Sequence, residues 1–160
     1  MSLIKQLFQS GETKAHQKLM AWIFSHIDIG PEDQVLEVGF GLGELLQMAA
    51  KNVTKGKVVG VEILPAMVKR ASDLNAKAIS AGRMEIINGD ANNLPYENNH
   101  FDKVFALNVV YFWTDLSKTI NELCRVIKPG GIIALYLAPR ILIEEMKKQA
   151  ERFGAHYLRG

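Results

Sequence analysis

A single stretch, residues 35–46, constrains the fold of this chain more than any other. It reads Val-Leu-Glu-Val-Gly-Phe-Gly-Leu-Gly-Glu-Leu-Leu, so an apolar run enters three glycines at alternate positions and a leucine-rich segment follows. This pattern predicts a buried strand that passes through a tight turn into a helix. Glycine allows positive φ and a close approach of backbone to ligand, and a helix start offers free N–H donors. We therefore expect a ligand at this turn.

Strands and helices alternate along the rest of the chain. Several of the predicted strands are apolar on both faces, which is typical of a parallel sheet covered by helices on each side. The sequence therefore predicts the α/β class, with five parallel strands in a doubly wound sheet. The predicted strands are residues 34–38, 57–62, 84–88, 103–107 and 132–137, and the predicted helices between them are 45–51, 65–81 and 116–127.

Finer features of this core follow from local signals. Residues 92–100 are polar and are predicted to form a loop, and the segment 129–131, Pro-Gly-Gly, is predicted to turn the chain into the fifth strand. Thr114 or Asp115 can cap the helix that follows the fourth strand. Apolar spacing places Leu74 and Leu116 on buried helix faces.

A helical cap is expected before the sheet, in residues 1–29. Residues 3–8 have the spacing of a short helix, which fits either a cover for a sheet edge or a mobile flap over a ligand. A longer helix is predicted over 13–26, with Trp22 on its buried side.

The whole chain, residues 1–160, is expected to form one domain, because this length fits one core. Its sheet core is assigned to 30–153, with a last helix from Pro139, and a tail to 154–160.

Composition and charge exclude several functional classes. Hydrophobic residues make up 48% of the chain, yet no apolar run approaches the roughly 20 residues that would span a bilayer, and the start lacks an export signal. The single cysteine, Cys124, excludes an intrachain disulfide and fits a reducing cytoplasm, the predicted location. We expect Cys124 to be a small core residue. The net charge of +2 argues against a nucleic-acid partner. No metal site is expected, since His16 and His26 have no second ligand at metal spacing.

Polar residues at three consecutive strand ends indicate the kind of ligand. Ligands of parallel sheets bind beyond the carboxyl ends of the strands. Glu44 stands where a dinucleotide fingerprint requires glycine or alanine, and Glu37 would repel phosphate and attract a cation. Glu62, which ends the second strand, can accept hydrogen bonds from a ribose diol, and Asp90 can accept one from an exocyclic amine. Together these residues predict a site for a nucleoside with a cationic or zwitterionic tail.

The sequence resembles the class I S-adenosylmethionine-dependent methyltransferases, especially the small-molecule branch that includes ubiquinone/menaquinone-biosynthesis-type enzymes. The matching segments are Glu37-x-Gly39-x-Gly41-x-Gly43, Val59-Gly60-Val61-Glu62, Gly89-Asp90-Ala91, Phe101-Asp102-Lys103-Val104 and Arg125-Val126-Ile127-Lys128-Pro129-Gly130-Gly131. They cover most of the chain, residues 34–137. The resemblance implies a three-layer Rossmann-like fold with S-adenosylmethionine as cofactor and a small molecule as methyl acceptor.

The resemblance also implies roles for individual residues around that cofactor. Glu62 would hold the ribose hydroxyls, and Glu37 would lie near the ammonium end. Phe40 stands where many relatives have a small residue or cysteine, and no loss of binding is expected from it. The other implied cofactor contacts are Gly39, Gly41, Gly43 and Asn108 at the methionine part, and Ile63, Met67, Asp90 and Ala91 at the adenine.

Methyl transfer from a sulfonium is an in-line displacement, in which positioning can supply much of the rate, so a dedicated base is not obligatory. No catalytic residue is assigned. The residues considered for the acceptor side are His100, Tyr111 and Trp113. A loop histidine and a buried tyrosine remain alternative interpretations of the first two. Two other functions stay open: a noncatalytic cofactor-binding module or partner subunit, and a nicotinamide-dependent oxidoreductase, which the glycine spacing disfavours.

The resemblance fails after the fifth strand, where relatives usually carry an antiparallel hairpin of two more strands that we expect to be absent here. Either the sequence is shortened, or the fifth strand is an open edge, which favours association. Our hypothesis is that a second copy, in a homodimer, or the terminal segment covers this edge. Substrate choice is assigned to residues 1–27 and 111–113.

Overall fold

The computed structural model describes residues 12–137, with side chains from Lys18 onward. The chain divides into two compact units, Met1–Gly30 and Pro31–Gly160. The described part of the first unit is mainly helix α1, Glu12–His26. Predictions for the segment 3–8, for the helix after Pro139, for the tail and for a hairpin after strand five lie outside the described residues. The assignment of one domain is not tested and stays a prediction.

The second unit is built on one five-stranded sheet. All neighbouring strands are parallel, and the strand order is β3-β2-β1-β4-β5. This confirms the predicted fold class. In chain order the elements are β1 (Gln34–Val38), α2 (Glu44–Asn52), β2 (Lys57–Glu62), α3 (Pro65–Leu74), α4 (Ala76–Ser80), β3 (Met84–Asn88), β4 (Phe101–Leu107), a 3₁₀ helix (Val110–Phe112), α5 (Leu116–Val126) and β5 (Ile127–Tyr136).

Helices cover both faces of the sheet, as the apolar strands predicted. On one face, Leu36 and Val38 of β1 join a buried cluster with Leu123 and Val126 of α5. On the opposite face, a Cβ added to Gly60 of β2 would meet the Leu46 side chain of α2 at 2.6 Å. The central strands β1 and β2 are therefore largely apolar and buried on both sides.

The order of the strands locates the site. The chain moves outward from β1 to β2 and β3, then returns to the other side of β1 as β4. In sheets of this kind, ligands bind beyond the carboxyl ends of the strands where the order switches. That point lies between β1 and β4, and the glycine turn follows β1 directly.

Arg125 of α5 holds the loop between β3 and β4 in place. Its guanidinium donates hydrogen bonds to the carbonyl oxygens of Tyr96 (2.7 Å) and Leu94 (3.1 Å). The same guanidinium forms a two-point ion pair with Glu122 (both 2.8 Å), which in turn accepts a hydrogen bond from the Leu94 backbone N–H. Residues 92–100 are thus a loop, as predicted, but a well-anchored one.

The predicted helix over 65–81 is interrupted at Asn75. This residue is buried, and its side-chain amide donates hydrogen bonds to the carbonyl oxygens of Ala71 (2.9 Å) and Gly43 (3.2 Å). Because this side chain caps the last turn of α3 and also contacts the glycine turn, the chain restarts as α4. Leu74, which was expected inside, is exposed.

Strand β5 begins at Ile127, five residues earlier than predicted. Phe101 pairs with Ile127 but Lys103 pairs with Ile132, so the register shifts between these pairs. The segment 129–131, predicted as a turn, is therefore an irregularity within the strand, where extra residues oppose fewer on β4.

Besides Leu74, three further expectations about burial were wrong. Cys124 is exposed, because it is adjacent to the buried Leu123 on a helix and successive residues point about 100° apart. Leu116 is exposed, at the first position of α5. Trp22 is 58% exposed, and its ring lies 4.3 Å from that of His26. In the described part of the chain, no helix is long and apolar enough to cross a membrane.

Candidate functional site

The glycine turn after β1 places three glycines at positive φ, at 69°, 52° and 78° for Gly39, Gly41 and Gly43. A Cβ on Gly43 would lie 2.7 Å from the Cβ of Ala71, so close packing of α3 accounts for this glycine. A Cβ on Gly39 would lie 2.1 Å from Cγ2 of Val109. Among the described residues, none comes within 4 Å of a Cβ on Gly41. The turn is therefore open to a ligand at Gly41.

Glu62 ties the end of β2 to this turn. Its side chain is only 7% exposed, yet its Oε2 accepts a hydrogen bond from the backbone N–H of Gly41 at 3.2 Å. Its Oε1 accepts one from the backbone N–H of Leu64 at 3.0 Å. A carboxylate offers about four lone-pair positions, so two stay available to further donors.

Glu37 is a buried acid beneath the same turn. It is 4% exposed, and no described residue forms a hydrogen bond to its Oε2 atom. Burial raises the pKa of Glu37 well above its ordinary value, and the nearby charge of Glu62 raises the pKa further. A hydrogen bond from the backbone N–H of Leu46, in the first turn of α2, acts in the opposite direction. The surroundings of Glu37 therefore disfavour its charged form, and its Oε2 atom has no hydrogen-bond partner among the described residues.

An apolar surface follows Glu62. Ile63 is 63% exposed and Leu64 is also exposed, whereas Met67 is partly buried. The side-chain amide of Asn88 donates hydrogen bonds to the carbonyl oxygens of Glu62 (2.9 Å) and Ile63 (3.0 Å). Exposed apolar groups beside a carboxylate suit a flat aromatic ring joined to a sugar.

The end of β3 lies next to the same acid. The backbone N–H of Gly89 donates to the carbonyl oxygen of Glu62 at 3.0 Å. Asp90 is exposed, and its Oδ1 accepts a hydrogen bond from the backbone N–H of Asn92 at 2.8 Å. The next residue, Ala91, packs against the core. The structure thus brings together the three polar features that the sequence placed at strand ends.

The segment after β4 forms the wall on the other side of the turn. Asn108 has a φ of 56°, unusual for a residue with a side chain, and its backbone N–H donates to the Tyr136 carbonyl oxygen at 2.9 Å. The next residue, Val109, is the one that lies against Gly39.

Three of the sequence-predicted site residues lie elsewhere or turn their side chains inward. His100 comes just before β4, at the amino end of the sheet, and seven residues of strand separate it from Asn108 by roughly 20 Å, so the structure does not bring it to the glycine turn. Trp113 is buried in the core cluster, so its ring does not face an acceptor site. Phe40 is 5% exposed, and its ring occupies the space beside Gly60.

Tyr111 is the acceptor candidate that stays at the carboxyl edge of the sheet, in the 3₁₀ helix that follows β4. It is partly buried. Three residues at the site, Asn88, Leu64 and Val109, were not predicted from the sequence. The position of Asn88 at the end of a strand could have indicated its role. Leu64 and Val109 have no such signal, because their sequence context is that of ordinary apolar residues. Among the side chains that the structure describes, from Lys18 to Leu137, no group of three or more candidate metal ligands is found.

Comparison with known proteins agrees with this geometry. The family profile described as "Methyltransferase domain" matches residues 36–135. The uncharacterized methyltransferase YdaC of Bacillus subtilis is 31% identical over 125 residues, which cover 78% of this chain and 67% of YdaC. The erythromycin 3''-O-methyltransferase of Saccharopolyspora erythraea is 29% identical over 126 residues, which cover 79% of this chain and 41% of that enzyme.

Solved structures show the same fold. A SAM-dependent methyltransferase from Aquifex aeolicus superposes with a TM-score of 0.66 at 26% identity, covering 72% of this chain and 62% of the other. The chain thus spans between two fifths and two thirds of the length of these relatives. The matched profile, the shared fold and the arrangement of strand ends together mean that the chain belongs to the class I S-adenosylmethionine-dependent methyltransferases.

Proposed function

We propose that this chain binds S-adenosylmethionine across the carboxyl ends of β1, β2 and β3 and directs its methyl group to a small-molecule acceptor. The observation that carries the proposal is the carboxylate of Glu62, held beside the open glycine turn by the N–H groups of Gly41 and Leu64. A fixed acceptor of this kind suits the two hydroxyls of a ribose. Family membership supports this function over the nicotinamide-dependent alternative.

The residues present fit the proposed cofactor at each of its parts. The unsatisfied Oε2 of Glu37 suits a cationic group, because a buried carboxyl without a partner gains most from one. The exposed side chain of Ile63 suits one face of adenine, with Met67 beside it. Asp90 and the backbone of Ala91 suit the polar edge of the ring. The methionine part of the cofactor remains assigned to Gly39, Gly41, Gly43 and Asn108. Phe40, whose ring is buried, would contact the cofactor only through its backbone.

When bound, S-adenosylmethionine supplies an electrophilic methyl group on its sulfonium sulfur. The contribution of this chain is to hold that cofactor in one orientation between two walls, the apolar surface at Ile63 and the segment at Asn108 and Val109. Of the described side chains, none is placed as an evident general base. An acceptor whose nucleophile needs little activation fits a site that works by positioning and exclusion of water.

The kind of methyl acceptor is inferred from a relative of this chain. The relative from Saccharopolyspora erythraea is named for an O-methylation of erythromycin, which supports a small-molecule acceptor here. One observation favours a second candidate, cofactor binding without turnover: of the three residues considered for the acceptor side, only Tyr111 lies at the site edge. Turnover on a panel of small alcohols, amines, thiols and activated carbons would distinguish the two.

Partners and location are also proposals. Strand β5 is at one edge of the described sheet, and Ile132, Leu135 and Leu137 are exposed along and just after it. We propose that a second copy covers this edge, and a monomer at micromolar concentration in analytical ultracentrifugation would contradict that. A cytoplasmic location stays a prediction from the sequence.

The test of cofactor binding is calorimetric titration with S-adenosylmethionine and S-adenosylhomocysteine. Hydrogen bonds to a charged group contribute about 1.5–3 kcal/mol, so Glu62→Ala should weaken binding about tenfold to a hundredfold. Glu62→Gln, which keeps one acceptor oxygen, should lose less. The control is Glu97→Ala, which removes an exposed acid from the 92–100 loop. Equal affinity of Glu62→Ala and wild type, or no binding by a folded wild-type sample, would refute the proposal.

A further inference from the structure

The surroundings of the Glu37 side chain disfavour a negative charge on it. In register with it on the neighbouring strands are Gly60 of β2 and Phe105 of β4, neither of which is ionisable. The one charge of the described residues that acts on it is the carboxylate of Glu62, which is of the same sign. Helix α2 stabilises a negative charge on Glu37 through the backbone N–H of Leu46 and the positive end of its dipole, but these offset only part of the rise in pKa that burial and Glu62 cause.

The geometry makes the acid form the stable one in the free protein. An ionised carboxyl removed from water without a cation is strongly disfavoured, and a like charge nearby adds to the penalty. Oε2 of Glu37 has no partner among the described residues, although the side chain is almost fully buried. A cation within about 4–6 Å would reverse this preference, because it stabilises the carboxylate directly.

We propose that Glu37 is a proton-releasing binding residue: it is a neutral acid in the free protein and becomes the carboxylate that pairs with the ammonium group of the cofactor. This inference rests on the proposed function. In the binding step the O–H bond of the Glu37 carboxyl breaks, its proton passes to buffer, and the carboxylate forms an ion pair with the ammonium. No other bond changes.

Two measurable consequences follow. Binding should release close to one proton near neutral pH. Affinity should rise by up to tenfold for each pH unit, because a proton is a product of the binding reaction. The rise should hold only below the pH at which the ligand's own amino group, with an ordinary pKa of about 8, loses its charge. S-adenosylhomocysteine keeps the ammonium and lacks the sulfonium, whereas 5′-methylthioadenosine lacks the ammonium.

The experiment is calorimetric titration at pH 6.5 in several buffers of different ionisation enthalpy. The slope of the observed enthalpy against that ionisation enthalpy counts the protons released. We expect nearly one proton for S-adenosylmethionine and S-adenosylhomocysteine and none for 5′-methylthioadenosine. Glu37→Gln should bind more weakly and release none, while the matched control Glu44→Gln, at the first position of α2, should release as many as wild type.

Each other outcome overturns the inference in a distinguishable way. Normal binding by wild type without proton release would mean that Glu37 is already ionised or takes no part. Release that persists in Glu37→Gln would assign the proton to another group. Release with S-adenosylmethionine but not with S-adenosylhomocysteine would assign the effect to the sulfonium. Absence of all binding would instead overturn the proposed function, and this inference with it. The pH dependence of wild-type affinity provides a second readout that needs no variant.

Discussion

The substitution Gly43→Ala separates the packing role of the glycine turn from its ligand role. Alanine at the observed φ of 78° is strained by roughly 1–2 kcal/mol, and its Cβ would lie 2.7 Å from that of Ala71 and 3.0 Å from Nδ2 of Asn75. Overpacking of this kind adds about 1–3 kcal/mol. We therefore expect Gly43→Ala to lower the free energy of unfolding by about 2–5 kcal/mol, measured by urea denaturation.

Gly41→Ala is the matched comparison, because φ is also positive there but the added Cβ meets no described atom within 4 Å. It should destabilise by only about 1–2 kcal/mol and instead weaken cofactor binding. The double variant Gly43→Ala/Ala71→Gly removes the opposing methyl and should recover at least about 1 kcal/mol beyond additivity. Equal destabilisation by Gly41→Ala and Gly43→Ala, or an additive double variant, would show that packing against Ala71 is not what requires glycine at position 43.

Three further variants test the remaining interactions. Glu37→Gln should stabilise the free protein at pH 8. The pKa of the Glu37 carboxyl is raised in the folded state, so the folded protein holds the carboxyl proton more tightly than the unfolded chain does. Wild-type stability therefore falls as the pH rises, by up to about 1.4 kcal/mol per pH unit, from near pH 4.3 up to the folded pKa. Equal urea midpoints of variant and wild type at pH 8 would contradict this. Arg125→Ala should cost about 1.5–3 kcal/mol and speed amide exchange in the 92–100 loop, whereas a change below about 0.5 kcal/mol would show that the anchor is unimportant. Gly60→Ala should destabilise by about 1–3 kcal/mol because its Cβ would lie 2.6 Å from the Phe40 ring, and Phe40→Leu in the same chain should recover part of the loss.

Much of the fold could be predicted from the sequence because strand and helix signals were local. The apolar runs at Val35 and Val58 and the glycine turn have a clear periodicity, and the predicted ends of β1, β2 and β3 agree with the structure. Features that depend on distant contacts were not predicted. The break at Asn75 exists because its amide reaches Gly43, 32 residues away.

Fewer features of the candidate site than of the fold could be predicted from the sequence. Glu62 and Asp90 could be placed because a parallel sheet brings all its carboxyl ends to one edge. His100 is not brought to this edge, because it precedes β4 and so lies at the amino end of the sheet. The raised pKa of Glu37 could not be predicted from spacing, since it depends on burial and on the nearby charge of Glu62 on the neighbouring strand.

The most direct test of the cofactor site is a ¹⁵N–¹H spectrum of the assigned protein during titration with S-adenosylmethionine. The backbone N–H groups of Gly41 and Leu64 donate to the Glu62 carboxylate, so they report on any ligand that shares that carboxylate. We expect the largest shifts at these two amides, with smaller ones at Ala91 and Asn108. Saturable binding with shifts clustered instead at the amino edge of the sheet, around His100, would contradict it.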